Sequence, residues 1–140
     1  MGRFIVQIVL MNRKIAQLSL LVRDYDEAIE FYVSRLGFVL IEDTPLSETK
    51  RWVVVAPAAE AEGCRLLLAK AGDEEQLSRV GNQTGGRVFL FLHTDDIARD
   101  HARLVAEGVR VVREPAAMPY GTVLVFADLY GNLWDMIEPN

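Results

Sequence analysis

Residues 15–38 read IAQLSLLVRDYDEAIEFYVSRLGF, and residues 87–109 read RVFLFLHTDDIARDHARLVAEGV. Each stretch runs in the same order, with an apolar strand, an acidic turn, an amphipathic helix, a glycine and the start of another strand. When the first stretch is shifted by 71 positions, Asp24 falls on Asp95 and Gly37 falls on Gly108. The repetition of one βα unit predicts two similar modules, packed so that a concave site lies between them.

Local signals predict where both helices begin and which faces they bury. Asp24 followed by Glu27 is typical of a capping box, and Asp95 or Asp96 is the predicted cap of the second helix. Spacing of three and four residues gives the buried faces. These are Tyr25, Ile29, Tyr32, Val33 and Leu36 in the first helix, and Ile97, Ala98, His101, Leu104 and Val105 in the second.

Turn signals divide the rest of each unit into three further strands. They are predicted at 38–42, 51–56 and 64–69, and again at 109–113, 122–127 and 133–138. The predicted organisation is an edge strand or leader at 1–13, a βαβββ module at 14–70, a linker with a short helix at 71–86, and a second βαβββ module at 87–140. Together the modules form one α+β domain with a cupped mixed sheet.

Composition restricts the classes of partner. The chain has 140 residues, 51% of them hydrophobic, and a net charge of −5 without a cluster of basic residues, which argues against nucleic acid. The apolar stretch at 4–11 is too short to span a membrane. With a single cysteine, Cys64, no disulfide framework is predicted, and we expect a cytoplasmic protein.

The doubled βαβββ order, the opening QLSLLVRDYDEAIEFYVSRLGF (17–38) and the closing PYGTVLVFADLYGNLWDMIEP (119–139) are similar to the vicinal oxygen chelate superfamily. This superfamily includes glyoxalase I, bleomycin-resistance proteins and extradiol dioxygenases. The resemblance implies a divalent metal in the cupped sheet, held by histidine, glutamine or glutamate side chains, two from each module. It also implies a homodimer, in which many members complete the cup across the subunit boundary.

The implied metal positions are degenerate in this chain. They fall on Gln17, on Leu67, on Phe89 (or on Val88 if the register shifts by one) and on Asp135. Leucine, phenylalanine and valine have no lone pair to donate, and one amide with one carboxylate is a weak donor set. The sequence therefore predicts no cofactor and no obligatory metal; a divalent metal remains the alternative.

Without a metal, the cup is predicted to bind an organic molecule. Alternation along the strands places Gln17 and Ser19 on one face of the first module, and Phe89, Phe91 and His93 on one face of the second. The predicted ligand-binding residues are Gln17, Ser19, Trp52, Leu67, Phe89, Phe91, Tyr120 and Asp135. The two phenylalanines also suit a hydrophobic core, and Trp52 also suits a dimer seam.

Three functions are compatible with this pattern. One is a binding protein for a small, partly aromatic molecule, which the aromatic walls and the degenerate metal positions favour. Another is a metal-dependent lyase, isomerase or dioxygenase of the same superfamily. The last is a metal-free enzyme that uses Asp135 or His93 for proton transfer. An Asp135 buried in an apolar cup would have a raised pKa or a hydrogen bond to Gln17.

Overall fold

The computed structural model describes residues 10–60 and 62–140, so most of the predicted leader or edge strand at 1–13 lies outside the described residues. The first module contains β1 (Gln17–Val22), α1 (Tyr25–Ile29) with a π-helical continuation (Glu30–Arg35), β2 (Val39–Pro45), β3 (Arg51–Ala56) and β4 (Arg65–Lys70). The linker holds α2 (Glu74–Arg79). The second module contains β5 (Val88–His93), α3 (Ile97–Ala106), β6 (Val111–Met118), β7 (Gly121–Ala127) and β8 (Leu133–Pro139).

The two modules have the same topology. Their strand orders are β1-β4-β3-β2 and β5-β8-β7-β6. In each sheet the first and last strands of the module pair in parallel, and the other neighbours pair antiparallel. The predicted α+β fold of two βαβββ modules with mixed sheets is therefore confirmed. No helix in 10–60 or 62–140 has the length and hydropathy needed to cross a bilayer.

The helix starts follow the predicted caps. The Asp24 side chain accepts a hydrogen bond from the Glu27 backbone N–H, and Asp96 rather than Asp95 caps α3 by accepting from the Arg99 N–H. Such caps satisfy backbone donors that have no partner inside the helix. The predicted buried face of α3 is too wide, because Ala98 and Val105 are exposed.

The first helix departs from regular spacing. After Ile29 it widens into a π helix over Glu30–Arg35, in which hydrogen bonds run from residue i to i+5. This wider turn changes the angle between successive side chains, and the neighbours Phe31 and Tyr32 are both buried. Burial of Phe31 is therefore not predicted by a pattern of three and four residues.

The two modules share one hydrophobic core. We call the sheet faces that contribute to it the inner faces. Their core residues are Leu20, Val22, Val53, Val55, Leu66 and Leu68 in the first sheet, and Leu124, Phe126, Trp134 and Met136 in the second. Aromatic contacts cross between the modules, since the rings of Tyr32 and Phe38 lie 6.1 and 5.8 Å from that of Trp134. Because strand side chains alternate, the outer faces point away from this core.

A buried polar group also joins the modules. The Tyr32 hydroxyl donates a 2.6 Å hydrogen bond to the carboxylate of Asp128, in the turn between β7 and β8. The same carboxylate accepts from the backbone N–H groups of Tyr130 and Asn132, and from the Asn132 side-chain amide. Burial and the neighbouring negative charge raise the pKa of Tyr32 well above its usual value. The turn therefore fixes the first helix as well as its own strands.

The raised pKa of Tyr32 predicts that the protein loses stability in alkali. A raised pKa in the folded state means that its contribution is complete below the unfolded pKa, near 10, and is lost as the pH rises further. We expect the difference in unfolding free energy between wild type and Tyr32→Phe to shrink above about pH 10, at up to roughly 1.4 kcal/mol per pH unit. Urea titrations across this range measure it, with Tyr120→Phe, at an exposed tyrosine, as the control. A difference that stays constant with pH would contradict the assignment.

Candidate ligand-binding site

Strand register places two rows of four side chains across the outer faces. The first row crosses β1, β4, β3 and β2 and consists of Ser19, Leu67, Val54 and Glu42. The second row crosses β5, β8, β7 and β6 and consists of Phe91, Asp135, Val125 and Arg113. Neighbouring members of a row lie on strands about 4.8 Å apart. The first outer face therefore presents the apolar side chains of Leu67 and Val54 at its middle, whereas the middle of the second carries Asp135 beside Val125; Glu42 and Arg113 lie at the far edges.

The predicted site residues of the first module lie on its outer face. Gln17 is two residues before Ser19 on β1, and Leu67 pairs with Ser19. Trp52 is two residues before Val54 on β3, and its side chain is 37% exposed. The structure brings these four predicted residues to one surface, which also carries Val54 from the middle of the first row.

The predicted site residues of the second module are divided. Phe91 and Asp135 are paired on its outer face, and Phe91 is 65% exposed. Of the two interpretations of Phe89, the structure agrees with the hydrophobic core, because a β-bulge between Val88 and Leu90 interrupts the alternation and Phe89 packs against the core. Tyr120 lies in the turn between β6 and β7 and is 55% exposed.

Within one chain the predicted residues do not form a single site. Gln17 and Leu67 lie on one outer face, Asp135 lies on the other, and the shared core separates the two. The modules meet through the hydrophobic core that their inner faces share. The first-module and second-module sets of predicted site residues can therefore meet only across two chains, a pairing that the sequence leaves open.

Two clefts lie between the modules on the inner side. One has a volume of about 380 Å³, with Leu92, Phe126 and Met136 among its apolar lining residues and Asp95, Arg99 and Asp100 on its polar wall. The other, of about 480 Å³, is lined by Leu18, Cys64, Leu66, Leu90, Phe91 and Trp134 among others. His93 borders both clefts. Of the predicted site residues, Phe91 and His93 reach these clefts.

Comparison with known proteins agrees with this architecture. The family model described as Glyoxalase/Bleomycin resistance protein/Dioxygenase superfamily matches residues 14–136. The chain belongs to this superfamily. A relative in Shewanella frigidimarina (strain NCIMB 400), named "Uncharacterized protein", is 55% identical over 131 residues, which cover 93% of this chain and 96% of the relative.

Two solved structures share the superfamily fold at appreciable identity. UcmS2 is 31% identical, with a TM-score of 0.79, over 91% of this chain and 99% of its own. TnmS3, an antibiotic binding protein from Streptomyces sp. CB03234, is 32% identical, with a TM-score of 0.72, over 93% of this chain and 99% of its own. The likeness extends over both modules in each case.

The metal positions implied by the superfamily do not fit a metal in this chain. Gln17 pairs with Arg65, and Leu67 follows Arg65 by two residues on β4. In the second module Val88 pairs with Leu133, and Asp135 follows Leu133 by two. This parallel favours Val88 over Phe89 as the equivalent of Gln17. Leucine and valine offer no donor atom, so only Gln17 and Asp135 could coordinate an ion, and one amide with one carboxylate is a weak donor set.

Asp135 is an acid in an apolar neighbourhood. Phe91 and Val125 flank it on the adjacent strands, and Leu133 and Ile137 lie two residues before and after it on β8. Burial raises the pKa of its carboxyl group, and the positive charge of Arg113 partly opposes this shift. A carboxylate in such surroundings loses part of the hydration that stabilises its charge, so a partner that supplies hydrogen bonds or positive charge binds there favourably.

Two charged residues of the outer faces were missed by sequence reasoning. Glu42 and Arg113 end the rows, but bulges lie between Leu40 and Glu42 on β2 and on both sides of Arg113 on β6. A bulge adds one residue, so simple alternation from the strand start assigns each following side chain to the wrong face. Pro115 within β6 was a usable signal, since proline in a strand is typical of edges and bulges.

Proposed function

We propose that the protein is a cytoplasmic homodimer that binds a small, partly aromatic organic molecule without an obligatory metal. The ligand lies between the first-module outer face of one chain and the second-module outer face of the other. One observation carries this proposal: the inner faces share a core, so the two outer faces can oppose each other only when two chains associate. Each face is too shallow to enclose a ligand alone, whereas ligand sites bury most of the ligand surface.

The exposed apolar side chains support a paired arrangement. Trp52, Phe91 and Tyr120 are large and exposed in the single chain. Exposed apolar groups that cluster typically mark a binding surface, and a two-fold dimer uses the same pair of surfaces twice. The likeness to TnmS3, named as an antibiotic binding protein, supports a small organic molecule as the ligand.

A second candidate is a metal-free enzyme in the same site. The raised pKa of Asp135 favours it, since a carboxyl group whose pKa moves toward neutrality is suited to proton transfer. The second predicted acid–base residue, His93, follows Phe91 by two residues at the end of β5. Turnover of a bound compound that is lost in Asp135→Asn would favour this candidate over binding alone.

Light scattering and calorimetry with acridine, a neutral aromatic probe, test the binding proposal. We expect a dimer at micromolar concentration and two acridine molecules per dimer. Leu67→Arg should weaken acridine binding by about tenfold or more, because it places a charge at the centre of the first row. Ala58→Trp, which fills the inner cleft that Phe91 does not line, should leave acridine binding unchanged. A monomer that binds acridine equally well after Leu67→Arg would contradict the proposed site.

Metal analysis provides a separate check. We expect purified protein to contain no stoichiometric zinc, nickel, manganese or iron, and none of these ions to raise the melting temperature. One metal ion per site, retained on dialysis and lost in Asp135→Asn, would favour the metal-dependent alternative.

A further inference from the structure

The second row contains one acid without a matching base beside it. The immediate neighbours of Asp135 are apolar in both directions, across the strands and along β8. Arg113 stands two strands away, beyond Val125, which corresponds to roughly 10 Å. Its charge partly opposes the effect of burial on the Asp135 carboxyl group, but no hydrogen bond joins the two side chains. Among the described residues, no group donates a hydrogen bond to this carboxylate.

Four other arginines near the strands and helices are engaged elsewhere. Arg51 pairs with Asp26 and Asp43. Arg99 pairs with Asp95 and Asp100. Arg35 and Arg103 hydrogen-bond backbone carbonyl groups across the helix ends. Within residues 10–60 and 62–140, no hydrogen bond supplies Asp135 with a positively charged partner, so the positive group of a ligand can take that place.

Phe91 provides the second element of recognition. It pairs directly with Asp135 across the β5–β8 ladder, and its ring is largely exposed. A cation above an aromatic face is attracted by the ring quadrupole, and one placed between a ring and a carboxylate is attracted by both. Planar aromatic ligands also stack on such a ring. The pair is thus suited to a ligand that is both aromatic and positively charged.

We propose that the ligand of the outer-face site is an aromatic organic cation, with its positive group against the Asp135 carboxylate and its ring system on Phe91. This inference rests on the proposed function, and it adds the charge of the ligand. On the facing chain the first row presents Leu67 and Val54 at its middle, with Trp52 near them, so the rest of the ring system meets an apolar surface. The net charge of −5 adds a favourable long-range attraction for a cation.

A second copy of the chain is the competing source of positive charge. Arg65 lies on the first-module outer face beside Gln17, so in a dimer it could approach the other chain's Asp135. In that case the carboxylate would stabilise the dimer instead of binding a ligand. Asp135→Asn distinguishes the two sources. If a ligand supplies the charge, the substitution alters ligand selectivity; if Arg65 of the second copy supplies it, the substitution alters the dissociation constant of the dimer.

Three probes of one shape test the inference: 10-methylacridinium, neutral acridine and acridine-9-carboxylate. By calorimetry at neutral pH, we expect wild type to bind the cation about tenfold more tightly than acridine, and the carboxylate least. Asp135→Asn should bring the cation and acridine within about twofold of each other, with acridine affinity retained. Glu75→Gln, which removes the same charge from the exposed α2 helix, should keep the tenfold preference.

Each contrary result has a distinct meaning. Equal affinities of wild type for the cation and acridine would overturn the charge inference and leave the proposed function standing. Failure of all three probes to bind would overturn both. Dissociation of the Asp135→Asn dimer, detected by light scattering, would assign the carboxylate to Arg65 of the second copy and overturn the inference. Folding of the variant is checked by circular dichroism, and the selectivity of wild type tests the inference without any variant.

Discussion

Replacing Asp128 with alanine is expected to destabilise the protein by about 3 kcal/mol or more. The substitution removes the acceptor for four donors, which belong to Tyr32, Tyr130 and Asn132. Asp128 and Asn132 are almost fully buried, and Tyr32 is completely so. Donors that lose their partner in the interior cannot recover a hydrogen bond from water, so the cost is much larger than that of one average hydrogen bond.

Urea unfolding followed by circular dichroism measures this loss as a lower midpoint with little change in slope. Asp26→Ala is the matched control, because its carboxylate is exposed and pairs with Arg51 at the surface, where such pairs contribute less than about 1 kcal/mol. Tyr32→Phe should give an intermediate loss, since it removes one of the four donors. Equal midpoints for Asp128→Ala and Asp26→Ala would show that the buried cluster is not what joins the modules.

The repeated pattern in the sequence predicts the topology because each βα unit carries its own local signals. Caps at Asp24 and Asp96 and left-handed glycines at Gly37 and Gly108 close the two helices in equivalent ways. Such signals act over a few residues and are visible in one chain. They led to the correct fold class and to the superfamily.

The same signals cannot reveal which faces of two similar modules meet. Both sheets carry apolar side chains on both faces, as Val54 and Val55 in the buried strand β3 show. A sequence pattern of this kind is compatible with packing through either face. The decision is made by particular contacts over long sequence separations, such as Tyr32 with Asp128 and with Trp134. These contacts hold the inner faces in one core, so the outer faces stay exposed on the surface of the single chain.

Bulges limit the prediction of the site itself. Phe89 packs against the core and not in a ligand pocket, and Glu42 and Arg113 lie on the outer faces, where alternation does not predict them. In each case one extra residue in a strand reversed the direction of the side chains that follow. Residues far from bulges, such as Ser19 and Leu67, lie on the face that alternation predicts.

Replacing Gly81 with alanine is expected to destabilise the protein by about 3 kcal/mol. Gly81 has a φ of +78°, and a Cβ atom there would lie 1.9 Å from the backbone oxygen of Tyr130. The clash involves the turn that carries Asp128, so it cannot be relieved by rotating a side chain. Either the linker or the turn must move, and the linker is also held where Gln83 hydrogen-bonds the exposed edge of β1 at Ser19 and Leu21.

Gly85→Ala separates the two causes of this effect. Gly85 also has a left-handed φ, of +67°, but a Cβ atom there meets nothing within 4 Å. Its substitution should therefore cost only the conformational penalty, about 1 kcal/mol, and the excess loss in Gly81→Ala measures the contact between linker and turn. Thermal and urea unfolding of both variants give the comparison. Similar losses of stability in Gly81→Ala and Gly85→Ala would mean that the linker moves away from Tyr130 at little cost. The contact between the linker and the turn would then contribute little to stability.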